Sequence, residues 1–426
     1  MNTKKKYEAL VLLDLLEKAS YEARLVGGCV RDELLGLPAK DYDIACTAKP
    51  DEIISLLKRQ NIRHLTYGQE HGTITALMPH GPVEITTLRE DVKTFGRKAQ
   101  VSFHSNFEAD AQRRDFTINA LSENKYGEIF DYFEGRKHLA KRQIFFVGEA
   151  RLRIKEDYLR ILRFFRFKSR FHLKSDPKTL DAIKKEIKGL KNVSLERITS
   201  ELLAIFQTKK ITATLKEMSE TQTLSFIFPQ YKKLPPSRSL KIFRCVDALG
   251  SLSEEYRPLA RIAVFLWFTH LAKGKEKRPS WSKIEFDDLV LLRLSAKDKQ
   301  YIVHLLEACE QISTLKNTRA DILMFVDKYE KHERKFLEHF IPFIKSVNKN
   351  SPSKIKKINR LIQIEKKFSH LRSPLNIDGR TIMEEFGVSQ GKLVGELLHL
   401  LRISYLNGEW STEQEAFAWL RKNVFL

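Results

Sequence analysis

The sequence predicts an α+β protein, with a small mixed head of strands and helices followed by a long, wholly helical remainder. Three observations lead there. Short runs rich in β-branched and aromatic residues are confined to about the first 145 residues. Beyond about residue 150, segments such as "LERITSELLAIF", "DKQYIVHLLEACEQI" and "KLVGELLHLLRISYL" repeat apolar residues at helical spacing. A chain of 426 residues also exceeds one ordinary core, so several packed units are expected.

Within the head, "YEALVLLDLLEKA" and "PDEIISLLKRQ" have helical period, the second with Pro50 and Asp51 at a helix start. "EARLVGG", "YDIAC", "GTITALM", "VEITTL" and "EIFDYF" read as strands bounded by Gly, Pro or charged turns. No internal repeat of fixed period occurs. "KKLPPSRS" (232–239), "AKGKEKRPS" (272–280) and "KSVNKNSPSKIKK" (345–357) are basic joints between helical units, and together they suit contact with phosphates.

With 75 Lys and Arg against 54 Asp and Glu, the formal charge is +21, which makes a polyanion the first partner to consider and an anionic membrane surface its rival. A spanning helix is not available. The most apolar run, "ARIAVFLWF" (260–268), has about half of the roughly 20 residues needed. Asp14 and Glu17 break the apolar stretch near the N-terminus, which fits an amphipathic helix better than a signal peptide. A cytoplasmic protein that does not enter membranes is therefore expected. Cys29, Cys46, Cys245 and Cys309 show no metal-ligand spacing and read as reduced and structural.

In "KDYDIA", Asp41 and Asp43 lie two apart in a strand-like run, so both carboxylates share one face and Tyr42 takes the other. Two like charges so placed are kept most readily when a cation neutralises them, and hard oxygen donors suit Mg²⁺. Upstream, "VGGCVRD" puts Gly27 and Gly28 between a strand and a helix start, where bare N–H groups and Arg31 suit a triphosphate. The dinucleotide fingerprint is incomplete, because no third glycine follows. Glu84 in "VEITTL" is a candidate third carboxylate, against the alternative of an exposed strand residue.

"DAQRRDFTINAL" (110–121) sets Arg113 and Arg114 beside Asp115. An internal Arg–Asp pair is one reading, and Arg114 on phosphates the other. In "EDYLRILRFFRFKSRF" (156–171), read as one helix, Tyr158, Ile161, Leu162 and Phe165 share an arc. Glu156, Arg160, Arg163, Arg166 and Arg170 face the opposite way, with Asp157 at the edge. Cytosine and adenine both show an amino donor beside a ring acceptor, so a carboxylate and a guanidinium, Asp157 and Arg160, match both. Uracil and guanine present the reverse polarity.

In this order, "LVGGCVRDELLG", "KDYDIA", "EHGTITA" with "VEITTLRED", "RRDFTINAL", "EDYLRILRFFRF" and "VSLERITSEL" resemble the blocks of the class II tRNA nucleotidyltransferases, the CCA-adding enzymes, whose close relatives are the bacterial poly(A) polymerases. The resemblance covers about residues 25–205, and "NIDGRTIMEEFGVSQGKLVGELLHLL" (376–401), with Gly379, Gly387 and Gly391 at helix turns, resembles the tail of the bacterial enzymes. It implies a polymerase-β-like head over 1–145, a neck with the nucleotide-selecting helix over 146–210, a body over 211–345 and a tRNA-contacting tail over 346–426. It further implies that Asp41 and Asp43 hold Mg²⁺, and Glu84, from the strand reading, is the candidate third catalytic carboxylate beside them. Gly28, Arg31 and Arg114 would contact the nucleoside triphosphate, Asp157 and Arg160 read its base, and Arg163 and Arg166 support it.

The implied activity is addition of C, C and A to tRNA 3′ ends from CTP and ATP, by two-metal nucleotidyl transfer that releases pyrophosphate. The polar segment "TTLREDVKTFGRKAQVSFHSNFEADAQ" (86–112) reads as a mobile loop, and in the family such a loop accompanies addition of the final A. Two rival readings remain at this level: a poly(A) polymerase or A-adding enzyme of the same chemistry, and a non-catalytic tRNA-binding protein. The sequence does not show an oligomeric state.

Overall fold

The computed structural model describes residues 2–95, 98–103, 106–270, 281, 292–312, 314–316, 318–330, 336–349, 351–369 and 377–425. The chain divides into two compact units, residues 1–229 with 291–293, and residues 230–290 with 294–426. Every candidate site residue lies in the first.

That unit opens with α1 (Asn2–Lys18), β1 (Ala23–Val26), α2 (Gly28–Leu34), β2 (Asp43–Cys46) and α3 (Pro50–Arg59). There follow β3 (His64–Leu65), β4 (Thr73–Met78), β5 (Gly81–Thr87), β6 (Arg89–Phe95), β7 (Lys98–Phe103) and α4 (Phe107–Gln112). Next come β8 (Ser122–Glu123), β9 (Ile129–Phe130), α5 (Gly135–Ala140) and β10 (Gln143–Ile144). The elements that close the unit around the site are α6 (Ala150–Glu156), α7 (Arg160–Phe171), β11 (Lys174–Ser175), α8 (Pro177–Glu186) and α9 (Leu195–Gln207).

The main sheet has seven strands in the order β3-β4-β5-β2-β1-β8-β9. Only β2 and β5 run parallel among its pairs, with Asp43 directly opposite Glu84. Leu12, Leu13 and Leu16 of α1 are fully covered, and α1 packs on β1 and β2. The amphipathic α3 buries Ile53, Leu56 and Leu57 and packs on β4 and β5. Asp51 and Glu52 in its first turn and Lys58 and Arg59 in its last complement the helix dipole.

Two local expectations change. The 86–112 segment, expected as a loop, contains an antiparallel ribbon of β6 and β7, because alternating residues of the two arms find partners in register from Arg89↔Phe103 to Phe95↔Lys98. Its tip, 96–97, and residues 104–105 lie outside the described residues. The expected helix 156–171 is interrupted at its start. Asp157 has extended φ and ψ of −149° and 104°, and α7 begins only at Arg160. The Asp157 side chain accepts from Leu159 N at 3.1 Å and its carbonyl accepts from Arg160 N at 3.0 Å, a local bonding pattern that competes with helix continuation.

Behind α7, Phe164 and Phe167 pack against Phe116, with centroids 6.3 and 5.5 Å apart, and Phe146 stacks on Phe164 at 6.1 Å. This aromatic cluster fixes the helix against the "RRDF" segment. In the second unit, helices include Pro236–Ala248, Arg257–His270, Ala296–Gln311, Arg319–Glu330 and Phe336–Val347. The basic joint 272–280 lies outside the described residues, whereas 345–357 runs from the end of helix Phe336–Val347 into helix Pro352–Phe368. Near the C-terminus, Gly379 opens helix Gly379–Phe386, Gly387 caps it in the left-handed region, and Gly391 caps helix Lys392–Asn407.

Gly189 packs face-on against Tyr158, so tightly that a Cβ there would stand 1.9 Å from the ring. Gly189→Ala should therefore destabilise the first unit by about 2–3 kcal/mol through overpacking beside Asp157, read as a fall in thermal midpoint. A midpoint equal to wild type would mean that the ring swings aside at no cost.

Candidate active site

Gly27 ends β1 and caps α2 with φ +75°, a conformation that glycine adopts without strain, and a Cβ there would stand 2.6 Å from Arg114 Nη1. The second glycine, Gly28, opens α2. Arg31, buried three residues on, donates Nε at 2.8 Å and Nη2 at 2.6 Å to Asp32 Oδ1, and donates Nη1 to Asn119 Oδ1. Its guanidinium also lies 4.5 Å from the centre of the Phe171 ring. Burial draws its pKa down, against the pull of Asp32.

Arg113 and Arg114 do not pair with Asp115, as the sequence suggested. Both reach back one helical turn to buried Asp110, at 2.6 and 3.1 Å, because i,i+3 and i,i+4 positions share a helix face while neighbours do not. Burial pushes the Asp110 carboxyl up, but Arg114 and Arg113 outweigh it and hold the pKa below the ordinary value. Asp115 instead accepts from Arg163 Nε at 2.8 Å and from Asn119 Nδ2 at 2.9 Å. Despite burial, Arg163 and Asn119 keep its pKa low.

On the arginine face of α7, Arg160, Arg163 and Arg166 are half-buried and Arg170 is exposed. Arg166 Nε lies 3.1 Å from Glu201 Oε2 of α9, and Arg170 Nη2 lies 3.1 Å from Asp32 Oδ2. The side chains of Asp157 and Arg160 take different partners. Asp157 takes Arg197 Nη2 at 2.8 Å, whereas Arg160 Nη1 donates to Glu156 Oε2 at 2.6 Å and to the Arg153 carbonyl at 2.8 Å.

These groups converge on one cavity of about 500 Å³. It is lined by Gly27, Gly28, Arg31, Arg114, Asp115, Asn119, Asp157, Leu159, Arg160, Arg163, Arg166, Phe167, Arg170 and Arg197. All seven residues expected to bind nucleotide are among them. Asn119 and Arg197 were not singled out from sequence, whereas Arg170 was placed on the arginine face of the 156–171 helix. Asn119 stands in "RRDFTINAL" and Arg197 in "VSLERITSEL", so their blocks were legible but their roles were not.

The expected catalytic carboxylates stand where β2 meets β5 in the interior of the sheet and do not line that cavity. Tyr42 points into the core and donates to Glu33 at 2.9 Å, and Asp41 is exposed in the lead-in to β2 rather than within the strand. Asp43 is half-buried, and Glu84 is exposed directly opposite it. Burial first, then the charges of Glu84 and Asp41 against the opposing pull of Arg114, push the Asp43 pKa up to about 6. Loss of hydration outweighs the positive charge of Arg114 there. Among the described residues no three His, Cys, Asp or Glu side chains form a ready cation cage, which suits an ion held by one or two carboxylates and substrate oxygens.

The Poly A polymerase head domain matches residues 23–145, an RNA-binding site of polymerase A matches 172–234, and a tRNA nucleotidyltransferase domain 2 matches 287–420. The CCA tRNA nucleotidyltransferase 1, mitochondrial, of Danio rerio is 45% identical over 195 residues, a match that spans 45% of either chain. The Homo sapiens protein of that name is 30% identical over 423 residues, covering 96% of this chain and 89% of its own. The crystal structure of the Bacillus stearothermophilus CCA-adding enzyme in complex with CTP is similar at a TM-score of 0.69 and 25% identity, over 98% of this chain and 96% of that one. With a relative 30% identical over 96% of its length, the chain belongs to the CCA tRNA nucleotidyltransferase family.

Proposed function

We propose that this protein adds C, C and A to the 3′ end of tRNA, taking the nucleotides from CTP and ATP and releasing pyrophosphate. The observation that carries the reading is a single cavity in which triphosphate-type groups, Gly28, Arg31 and Arg114, meet a base-type pair, Asp157 and Arg160. Selection then needs no nucleic-acid template. Asp157 is held by Arg197 and Leu159 N, and its carboxylate retains lone pairs to accept from the amino group of C or A. Arg160, braced by Glu156, donates to the adjacent ring nitrogen. Arg163 and Arg166 support the nucleotide from the same helix face, pinned by Asp115 and Glu201.

The donor set where β2 meets β5 fits a hard divalent cation: burial first, then the charges of Glu84 and Asp41, raise the Asp43 pKa, and hard carboxylate oxygens are what such an ion takes. We read the ion as Mg²⁺, held by Asp41 and Asp43 with Glu84 as the third catalytic carboxylate. When bound, it neutralises charge on the triphosphate and activates the tRNA 3′-hydroxyl. Arg31 and Arg114 orient the triphosphate, and most of the rate comes from that positioning. No covalent intermediate with the protein is required. The neck, body and tail over 146–210, 211–345 and 346–426 grip tRNA through basic stretches such as 345–357, and the work is done in the cytoplasm. A poly(A) polymerase reading shares the head, but the family match over the whole length favours tRNA.

Purified protein given CTP, ATP and tRNA that lacks its terminus should yield a defined three-nucleotide extension. Long A tails on unrelated RNA would place it with the poly(A) polymerases. Asp41→Ala and Asp43→Ala should each cut incorporation about a hundredfold or more while tRNA binding stays near wild type.

Asp157→Ala or Arg160→Ala should lose about 10–100-fold of the discrimination against UTP and GTP, or lose C and A addition together. Unchanged nucleotide preference in both variants would sink the templating role.

The raised pKa of Asp43 gives a pH signature. Because the folded value of about 6 exceeds the ordinary aspartate value, ionising Asp43 weakens the ion-free fold above pH 6, and the penalty disappears as pH falls toward about 4. Asp43→Asn should therefore raise the thermal midpoint of ion-free protein at pH 8, with the gain fading between pH 6 and 4. A gain that persists at pH 4 would show that ionisation is not its cause.

A further inference from the structure

The expected machinery leaves one charged group at the acidic site without a role. Lys5 comes from α1, outside the blocks that carry the family resemblance, yet its ammonium lies 3.6 Å from Asp41 Oδ1. The carboxylate is not what puts it there. Nζ donates to the Lys40 carbonyl at 3.1 Å, and the stem lies across Gly81 at the start of β5, where a Cβ would stand 3.1 Å from Lys5 Cε. The lysine side chain is 20% exposed while that of Asp41 is 57% exposed, so the cation is the fixed partner and the carboxylate the free one.

The rest of α1 holds this placement. Lys6, next in the chain, pairs with Glu33 at 2.5 Å and Glu123 at 3.4 Å, and Glu33 also accepts from Tyr42, the residue between the two aspartates. One helix end thus grips the acidic turn at Glu33 and at Asp41. Of the three carboxylates Asp41, Asp43 and Glu84, Asp41 is the one that Lys5 reaches.

We propose that Lys5 is a resident counter-charge that sets the divalent-cation affinity of the acidic site, holding Asp41 in the ion-free protein and competing with the incoming cation for it. The proposal rests on the reading of Asp41 and Asp43 as cation ligands. A unit charge about 4 Å from a ligand oxygen at a solvated site opposes cation binding several-fold, and salt screens the effect. Lys5 is a positioning residue in this scheme and touches no reacting atom.

The test is a titration of the full chain with Mn²⁺, free Mn²⁺ being read by electron paramagnetic resonance. Lys5→Met keeps the stem on Gly81 and removes the charge. It should bind Mn²⁺ about 3–10-fold more tightly than wild type at low ionic strength, with the difference shrinking at high salt. Lys5→Arg should match wild type. Lys5→Gln, a second neutral variant, should behave like Lys5→Met. Neutral variants that bind Mn²⁺ as wild type does, or more weakly, overturn the proposal while leaving the ligand assignment intact. If wild type binds no Mn²⁺, or Asp41→Asn with Asp43→Asn binds it as well as wild type, the ligand assignment itself falls and this inference with it.

Discussion

Seven guanidinium groups facing one cavity is the constraint on which the rest of the first unit depends. Left unpaired, such charges would repel one another and lose hydration as the helices closed around them. Each is instead tied to an acid: Arg31 and Arg170 to Asp32, Arg114 to Asp110, Arg160 to Glu156, Arg163 to Asp115, Arg166 to Glu201 and Arg197 to Asp157. Of those acids only Asp115 and Asp157 line the cavity, so the lining stays strongly positive although the surrounding structure is nearly balanced. A polyanionic ligand completes the balance. Burial and pairing pull in opposite directions at these acids, and the outcome differs by site: Asp110 and Asp115 are held low by their arginines, whereas burial wins at Glu201.

The acidic site is the complementary case. Asp43 starts β2 with Glu84 opposite it in register and Asp41 two residues before, and Arg114 supplies only a partial opposing field. The sheet imposes this crowding, because a parallel pairing of β2 with β5 places those two residues side by side whatever their charge. A deficit of positive charge at these carboxylates and a surplus in the cavity are both resolved by a cation and a triphosphate together. Arg114 joins the two, since it faces Asp43 electrostatically and also lines the cavity.

Much of this was legible in the sequence because the signals were local. The strand–glycine–helix entry at Gly27 and the apolar face of α7 follow from period and backbone freedom alone, whereas Asp41 falls before β2 and outside its period. What escaped was whatever depends on a partner distant in the chain. Arg197 and Glu201 lie on α9, about one element pair away from α7, and no periodicity in α7 announces which acid each arginine meets. The Asp110 pairing was a local miss: Asp115 is adjacent in sequence to Arg114, but adjacency points side chains apart on a helix. The break at Asp157 escaped because the arc of apolar residues continues unbroken through it, while a side-chain cap redirects the backbone. The β6–β7 ribbon was hidden by its polar composition, which matches a loop as well as an exposed strand pair.

That break matters for how a protein surface can replace a template. Had the helix run through, Asp157 and Arg160 would share a helical face and pair with each other at i,i+3, satisfying the very atoms that must meet the base. The extended conformation at Asp157 separates them. Each then finds a protein partner of its own, Arg197 for the carboxylate and Glu156 for the guanidinium, which fixes orientation while both residues still line the cavity. A base of reversed polarity meets two groups already aligned for the opposite pattern, and the buried polar atoms left unsatisfied make it a poor fit. The same α7 buries Phe164, Phe165 and Phe167 in the core. Base selection and the packing of the unit therefore share one helix, and a change on either face is felt on the other.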